Sequence, residues 1–118
     1  MMGITIFHNP RCSKSRQTLS ILEEQGISPV VVLYLETPPD ADQLRAILGK
    51  LGINARDLLR KGEQEFKDNN LKDPSLTEEQ LINVMCEFPR LIERPIVVNG
   101  EKARIGRPPE SVLEILDR

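Results

Sequence analysis

The stretch Ile4 to Gly26, ITIFHNPRCSKSRQTLSILEEQG, sets one cysteine, Cys12, between a short apolar run and the first turn of an amphipathic segment. A helix start carries unpaired backbone N–H groups and the positive end of the macrodipole, and both favour a thiolate over a thiol. The thiolate is the nucleophilic form. The cations Arg11, Lys14 and Arg16 flank Cys12, and the chain's single histidine, His8, lies four positions upstream in the same loop. All of these lower the cost of negative charge on sulfur. Cys12 is therefore the candidate nucleophile, with His8 a candidate for activating it through charge or a hydrogen bond.

The second cysteine reads differently. Cys86 sits beside Met85 in a periodic apolar segment, where a free cysteine behaves as a small hydrophobe, and packing is its expected role. Position 15 is serine, where a dithiol Cys-x-x-Cys motif would carry its second thiol. If Cys86 only packs, no thiol of the chain resolves an adduct on Cys12, and reducing electrons come from external thiols. Ser13, Ser15 and the backbone N–H groups of the helix start form a natural cradle for an anion. A tetrahedral oxyanion also needs positive charge in a fixed fork, a task that suits guanidinium better than ammonium. Arg60, Arg94 and Arg107 are the candidates, whereas Arg45, Arg56 and Arg90 read as solvated surface charge.

The elements that must position these groups follow from periodicity and punctuation. Ile4 to Phe7 reads as a strand, His8 to Arg11 as a loop, and Ser13 to Gln25 as a helix with Leu19 and Leu22 inward and Gly26 as its stop. Val30 to Leu35 is a continuous apolar run with β-branched residues at its start, the pattern of a strand buried on both faces. A strand, a helix and a strand this close imply parallel pairing through a right-handed crossover.

Asp40 with Gln43 caps a helix carrying Leu44, Ile47, Leu48 and Leu51 before Gly52, and Asn54 caps a short helix holding Leu58, Leu59 and Arg60. Lys61 to Asp73, the most polar segment, reads as weak helix and loop. Thr77 and Gln80 form a capping box before Leu81, Val84, Met85 and Phe88, and Pro89 ends that helix. Pro95 to Ile105 reads as a hairpin turning at Asn99-Gly100 in a type I′ turn, and Pro108-Pro109 opens a final helix through Leu116. The order β-α-β, helical insert, β-β-α predicts an α/β chain of thioredoxin-like fold. Its central mixed four-stranded sheet is flanked by helices, and the insert separates the two halves.

Composition bounds the function. A chain of 118 residues, 39% hydrophobic and 29% charged, suits a single globular domain over residues 1–118. The formal charge of −2 gives no reason to expect nucleic acid or an anionic membrane as partner. Met1 to Phe7 lacks the basic start and long apolar run of a signal peptide, and no segment approaches a membrane span, so a cytoplasmic location is expected. Two cysteines 74 positions apart do not form a secreted disulfide framework, and a single histidine argues against a protein zinc site.

The pattern H-N-P-x-C-S-x-S-R-x-T-L, followed by V-V-x-Y-L-E-T-P-P, L-L-R, E-R-P-I-V-V and I-G-R-P-P-E, resembles the glutaredoxin-coupled arsenate reductase family over nearly the whole chain. Its length and its Lys14-Ser15 loop look most like the compact chromosomal members. The resemblance implies that Cys12 attacks arsenate held by Arg60, Arg94 and Arg107 with help from Ser13 and Ser15. Glutathione is then the co-substrate and a glutaredoxin the partner. It implies a monomer with no tightly bound cofactor and no metal, and a cis-proline at Pro95 that aims Arg94 at Cys12. Phosphatase-like arsenate reductases are excluded, since they need Cys-x5-Arg and the sixth residue after Cys12 is Thr18. Two alternatives stay open: a monothiol glutaredoxin-like thioltransferase using Cys12-x-x-Ser15, and an Spx-type regulator that binds RNA polymerase. For the regulator, Ser15 removes the intramolecular redox switch.

Overall fold

The computed structural model describes residues 3–116, and contacts within the chain divide them into two units: residues 3–37 with 94–116, and residues 38–93. The first unit contains β1 (Ile4–Phe7), α1 (Ser13–Glu24), β2 (Val30–Val32), β3 (Ile96–Asn99), β4 (Lys102–Ile105) and a 3₁₀ helix over Pro109–Ile115. Its strands form one mixed sheet in the order β2-β1-β3-β4. β1 and β2 run parallel, while β1–β3 and β3–β4 are antiparallel. Strand alternation turns Ile4 and Ile6 inward, and they join Leu22, Ile27, Val97, Val112, Ile115 and Leu116 in one buried cluster, with Leu19 and Ile21 packed at its margin. Helix α1 stops as its sequence requires. Gly26 takes φ +79°, and the N–H groups of Gly26 and Ile27 return to the carbonyls of Glu23 and Leu22 in a Schellman pair.

Three elements depart from the sequence expectation. β2 is a three-residue edge strand, not a six-residue strand buried on both faces, and Val30 is 60% exposed. The reason lies in its partner: β1 offers only Thr5, Ile6 and Phe7 before the His8 loop, so pairing ends at Val32. The chain then turns, with Glu36 and Thr37 N–H both bonded to the Leu33 carbonyl.

In the hairpin, Asn99 pairs with Lys102, so the two loop residues are Gly100 and Glu101, and of these only Gly100 (φ +62°) is left-handed. That is the pattern of a type II′ turn instead of I′. Asn99 is a buried strand residue whose amide donates to the Ile115 carbonyl at 2.7 Å. The last helix is 3₁₀ and not α, because its buried side chains, Pro109, Val112 and Ile115, recur every three residues. A 3₁₀ turn stacks i and i+3 on one face, so all three reach the core together.

The second unit is helical: α2 (Ala41–Leu51), α3 (Ala55–Leu58), α4 (Gln64–Asp68), α5 (Glu78–Glu87) and a 3₁₀ turn over Pro89–Leu91. Helices α2 and α5 both open with the expected capping boxes, Asp40 with Gln43 and Thr77 with Gln80. They pack together through Leu44, Ile47, Leu48 and Leu81, Ile82, Met85, all buried. Helix α3 stops at Leu58, short of the expected Leu59 and Arg60. Those two residues are extended: Leu59 bridges Ile92, and Arg60 N–H donates to the Leu91 carbonyl at 2.8 Å. Backbone pairing with the 91–93 segment thus displaces a helical turn. Within the polar 61–73 segment, α4 buries Phe66, and Leu71 is buried beyond it. No helix among the described residues is long and apolar enough to cross a membrane.

Candidate active site

β1 delivers the chain into the His8–Arg11 loop, and the loop hands it to α1 with Cys12 as the N-cap, in extended conformation (φ −94°, ψ 122°). Asn9 shapes this passage. Its carbonyl accepts from Cys12 N–H at 3.0 Å, and its side-chain oxygen accepts from Arg11 N–H at 3.0 Å, an Asx turn that sets the cap. Arg16 N–H donates to the Cys12 carbonyl at 3.0 Å as the first helical bond, and the Arg16 guanidinium reaches back to the Pro10 carbonyl at 2.9 Å.

Cys12 is 9% exposed. Burial alone would push its thiol up, but hydrogen bonds from the Ser15 backbone N–H, the Arg94 side chain and the Lys14 backbone N–H, with the charge of Arg94, outweigh it and hold the thiol below its ordinary value. Arg107 adds a second guanidinium: its Nη2 stands 3.6 Å from the Cys12 Sγ, and its Nε donates to the Arg94 carbonyl at 2.8 Å. Both arginines precede cis prolines, Pro95 as the resemblance implies and Pro108 without any signal in the sequence reading.

Gly106 makes this convergence possible. Its N–H donates to the Pro95 carbonyl at 2.9 Å. A Cβ there would stand 2.8 Å from Pro95 Cγ and collide with the Thr18 side chain of α1. Thr18 is itself tied to the Lys14 carbonyl at 2.8 Å. Nothing in the sequence assigns Gly106 or Thr18 a part in the site. Their only signal was the small residue directly before Arg107.

Ser15 faces two ways. Its backbone N–H bonds to the Cys12 sulfur, whereas its fully buried hydroxyl lies 2.6 Å from His8 Nδ1 and accepts from Asn9 N–H at 3.0 Å. The hydroxyl thus braces the loop. His8 is 6% exposed, and burial followed by the charge of Arg16 lowers its pKa, so it is neutral at neutral pH. Its contact in the site is with Ser15, whose backbone N–H bonds to the Cys12 sulfur. Ser13 is exposed on the outer side of the first helical turn.

Cys12, His8, Ser13, Ser15, Arg94 and Arg107 all belong to the first unit. Arg60 belongs to the second, where its guanidinium pairs with Glu93 at 2.6 Å and Glu63 at 3.3 Å. Cys86 also lies in the second unit. Burial, then the charge of Asp40, raises its pKa, so it is a poor nucleophile at neutral pH. Among the described residues no group of three or more His, Cys, Asp and Glu side chains could hold a metal ion. The first-unit cluster is a cysteine whose ionisation is favoured, flanked by two guanidiniums and a helix start, an arrangement suited to nucleophilic attack on an oxyanion whose charge is held as it reacts.

The family model described as the ArsC family matches residues 7–115. A protein of Escherichia coli called YfgD, described as uncharacterized, is 60% identical over 96% of both chains. An arsenate reductase of Haemophilus influenzae is 48% identical over 98% of this chain and 100% of its own length. Among solved structures, an arsenate reductase from Vibrio cholerae is 52% identical and superposes with a TM-score of 0.95, covering 98% of each chain.

Proposed function

The chain belongs to the ArsC family, and on that premise we propose that it is an oxidoreductase that reduces arsenate to arsenite through a thiol–arsenate adduct on Cys12. The Cys12 thiolate attacks arsenic and one arsenate oxygen leaves as water after protonation, forming a Cys12–S–As(V) bond. Arg94 and Arg107 hold the remaining oxygens. A glutathione thiol then displaces a second oxygen, again as water. A third thiol, from a glutaredoxin, attacks the glutathione sulfur. The S–S bond that forms releases two electrons to arsenic, leaving As(III) on Cys12, and hydrolysis frees arsenite.

The single observation that carries this reading is the pair of guanidiniums on one thiolate: Arg94 hydrogen-bonded to the Cys12 sulfur and Arg107 Nη2 at 3.6 Å from it. A simple disulfide exchanger needs one stabilised thiolate, whereas a transferred oxyanion needs a positive fork as well. The raised pKa of Cys86 supports reliance on external thiols, and a reaction that draws on them suits a reducing compartment, the cytoplasm. Arg60 is the third arginine that the family resemblance assigns to the oxyanion. Incubation of the purified protein with arsenate, glutathione and a glutaredoxin is expected to produce arsenite, and Cys12→Ser to abolish it. Absence of arsenite together with rapid reduction of glutathionylated peptides would replace this reading with a thioltransferase.

A further inference from the structure

We propose that a basic cavity in the helical unit binds the diphosphate group of a small molecule. The cavity encloses about 450 Å³ and is lined by Arg56, Lys61, Phe66, Lys67 and Lys72, four cations and one aromatic ring with no acid among them. All five belong to the unit of residues 38–93, apart from the unit that carries Cys12. Local folding gathers them. Arg56, on α3, donates from Nη1 to the Leu71 carbonyl at 2.7 Å and from Nη2 to the Asp73 carbonyl at 3.0 Å, which ties the 71–73 stretch to α3. Asn70, the one non-glycine at positive φ (+53°) among the described residues, ends α4: the N–H groups of Asn70 and Leu71 return to the carbonyls of Lys67 and Phe66 in a Schellman pair. The chain doubles back after Lys67, and Lys72 comes to line the same cavity as Lys61 and Lys67.

Acids are abundant in the same stretch, and each is engaged elsewhere. Asp57 accepts from the Asn54 N–H, Glu63 pairs with Arg60 and Arg90, and Glu65 faces Arg90 at 3.9 Å. Asp68 accepts from the Gln64 amide, and Asp73 from the N–H and hydroxyl of Ser75. The exposed Lys61, Lys67 and Lys72 form no ion pair among the described residues. Like charges around one concavity repel one another, and a bound anion relieves that repulsion. Phe66, 6% exposed, backs the cavity with hydrocarbon, and a low-dielectric wall focuses the field of the cations. The charge to be matched selects the ligand. A phosphoryl group carries about 1.5–2 negative charges at neutral pH, so two of them offset the three lysines with Arg56, whereas a single carboxylate leaves most of that charge standing. The several oxygens of a diphosphate also suit ammonium groups, each a compact charge with three donors.

Calorimetric titration of inorganic pyrophosphate into the full chain tests the site. The triple variant Lys61→Gln, Lys67→Gln, Lys72→Gln changes only exposed side chains and leaves the Arg56 clamp in place. Its Kd is expected to rise about tenfold, the scale of three exposed charge pairs. Orthophosphate should bind the parent protein more weakly than pyrophosphate, and added sodium chloride should weaken both. Adenosine diphosphate, titrated in parallel, tells a nucleotide-borne diphosphate from a free one, and lysine-dependent binding of either supports the site. A second readout locates the ligand: amide resonances of residues 61–72 should shift during the titration while those of residues 9–16 stay in place. Equal pyrophosphate affinity in parent and triple variant would overturn the proposal. So would binding that is lost in Arg107→Gln but kept in the triple variant, since the anion would then sit at the thiol. Lysine-dependent binding of polyglutamate by a protein that ignores pyrophosphate would replace the cavity with a docking face for an acidic protein.

Discussion

At the scale of single residues, the candidate nucleophile is Cys12 and its environment is built from donors. Burial works against ionisation, and the Ser15 and Lys14 N–H groups with Arg94 overcome it. Since the acid is depressed in the folded state, its ionisation contributes stability that is complete above the unfolded pKa and is lost as pH falls through the folded one. The same titration controls reactivity. Alkylation of Cys12 by iodoacetamide should rise with pH and level off at a midpoint below the free thiol value of about 8.5, whereas Cys86 should titrate above it. Arg94→Gln is expected to move the Cys12 midpoint upward. An unchanged midpoint would mean that the helix start and Arg107 ionise the sulfur without Arg94. Residue identity marks Cys12 as the candidate nucleophile but does not show that the Ser15 hydroxyl is buried against His8, because nothing in a Ser-x-Ser spacing fixes which way a hydroxyl is buried.

Among the elements, those with local signals were readable and those defined by a partner were not. The Asp40–Gln43 and Thr77–Gln80 boxes start α2 and α5 as their spacing dictates, because a cap is satisfied within four residues. The length of β2 depends on how far β1 runs beside it, and the fate of Leu59 and Arg60 depends on a bridge to Ile92, more than thirty positions away. Gly106 is the clearest case at this scale. It lies where β4 leaves the sheet against α1 and Pro95, and Gly106→Ala is expected to cost about 1–3 kcal/mol by overpacking. Chemical denaturation should show this as a lower midpoint. Because Thr18 and Pro95 are the atoms displaced, kcat/KM for arsenate should fall as well. Unaltered stability would show that Thr18 can rotate away at little cost.

For the whole molecule, the consequence of the site is linkage between oxyanion binding and folding. A ligand that binds only the folded chain stabilises it by RT ln(1 + [L]/Kd), about 2.7 kcal/mol at a hundredfold excess over Kd. Arsenate is therefore expected to raise Tm in a concentration-dependent way, and Arg107→Gln to suppress the rise. The resemblance assigns Arg60 to the same oxyanion, so Arg60→Gln should reduce the shift too. A full shift in that variant would leave Arg60 to its ion pairs with Glu63 and Glu93. A Tm that ignores arsenate in the parent protein would contradict the substrate.

The amino-acid order alone determined the candidate nucleophile, the helix start at which it sits, the absence of a dithiol partner at position 15, the α/β sequence of elements and most of the helix starts. Those features depend on interactions spanning a few residues: a backbone N–H left open at a helix start, a cap closed three positions on, a side-chain period. Only the tertiary structure decided that Arg94 and Arg107, 82 and 95 positions from Cys12, both reach its sulfur, that Gly106 must lack a side chain, and that the His8 ring meets the Ser15 hydroxyl. These follow from the β3–β4 register and from which atoms are buried together, quantities set by the packed sheet and helix rather than by any local run of sequence.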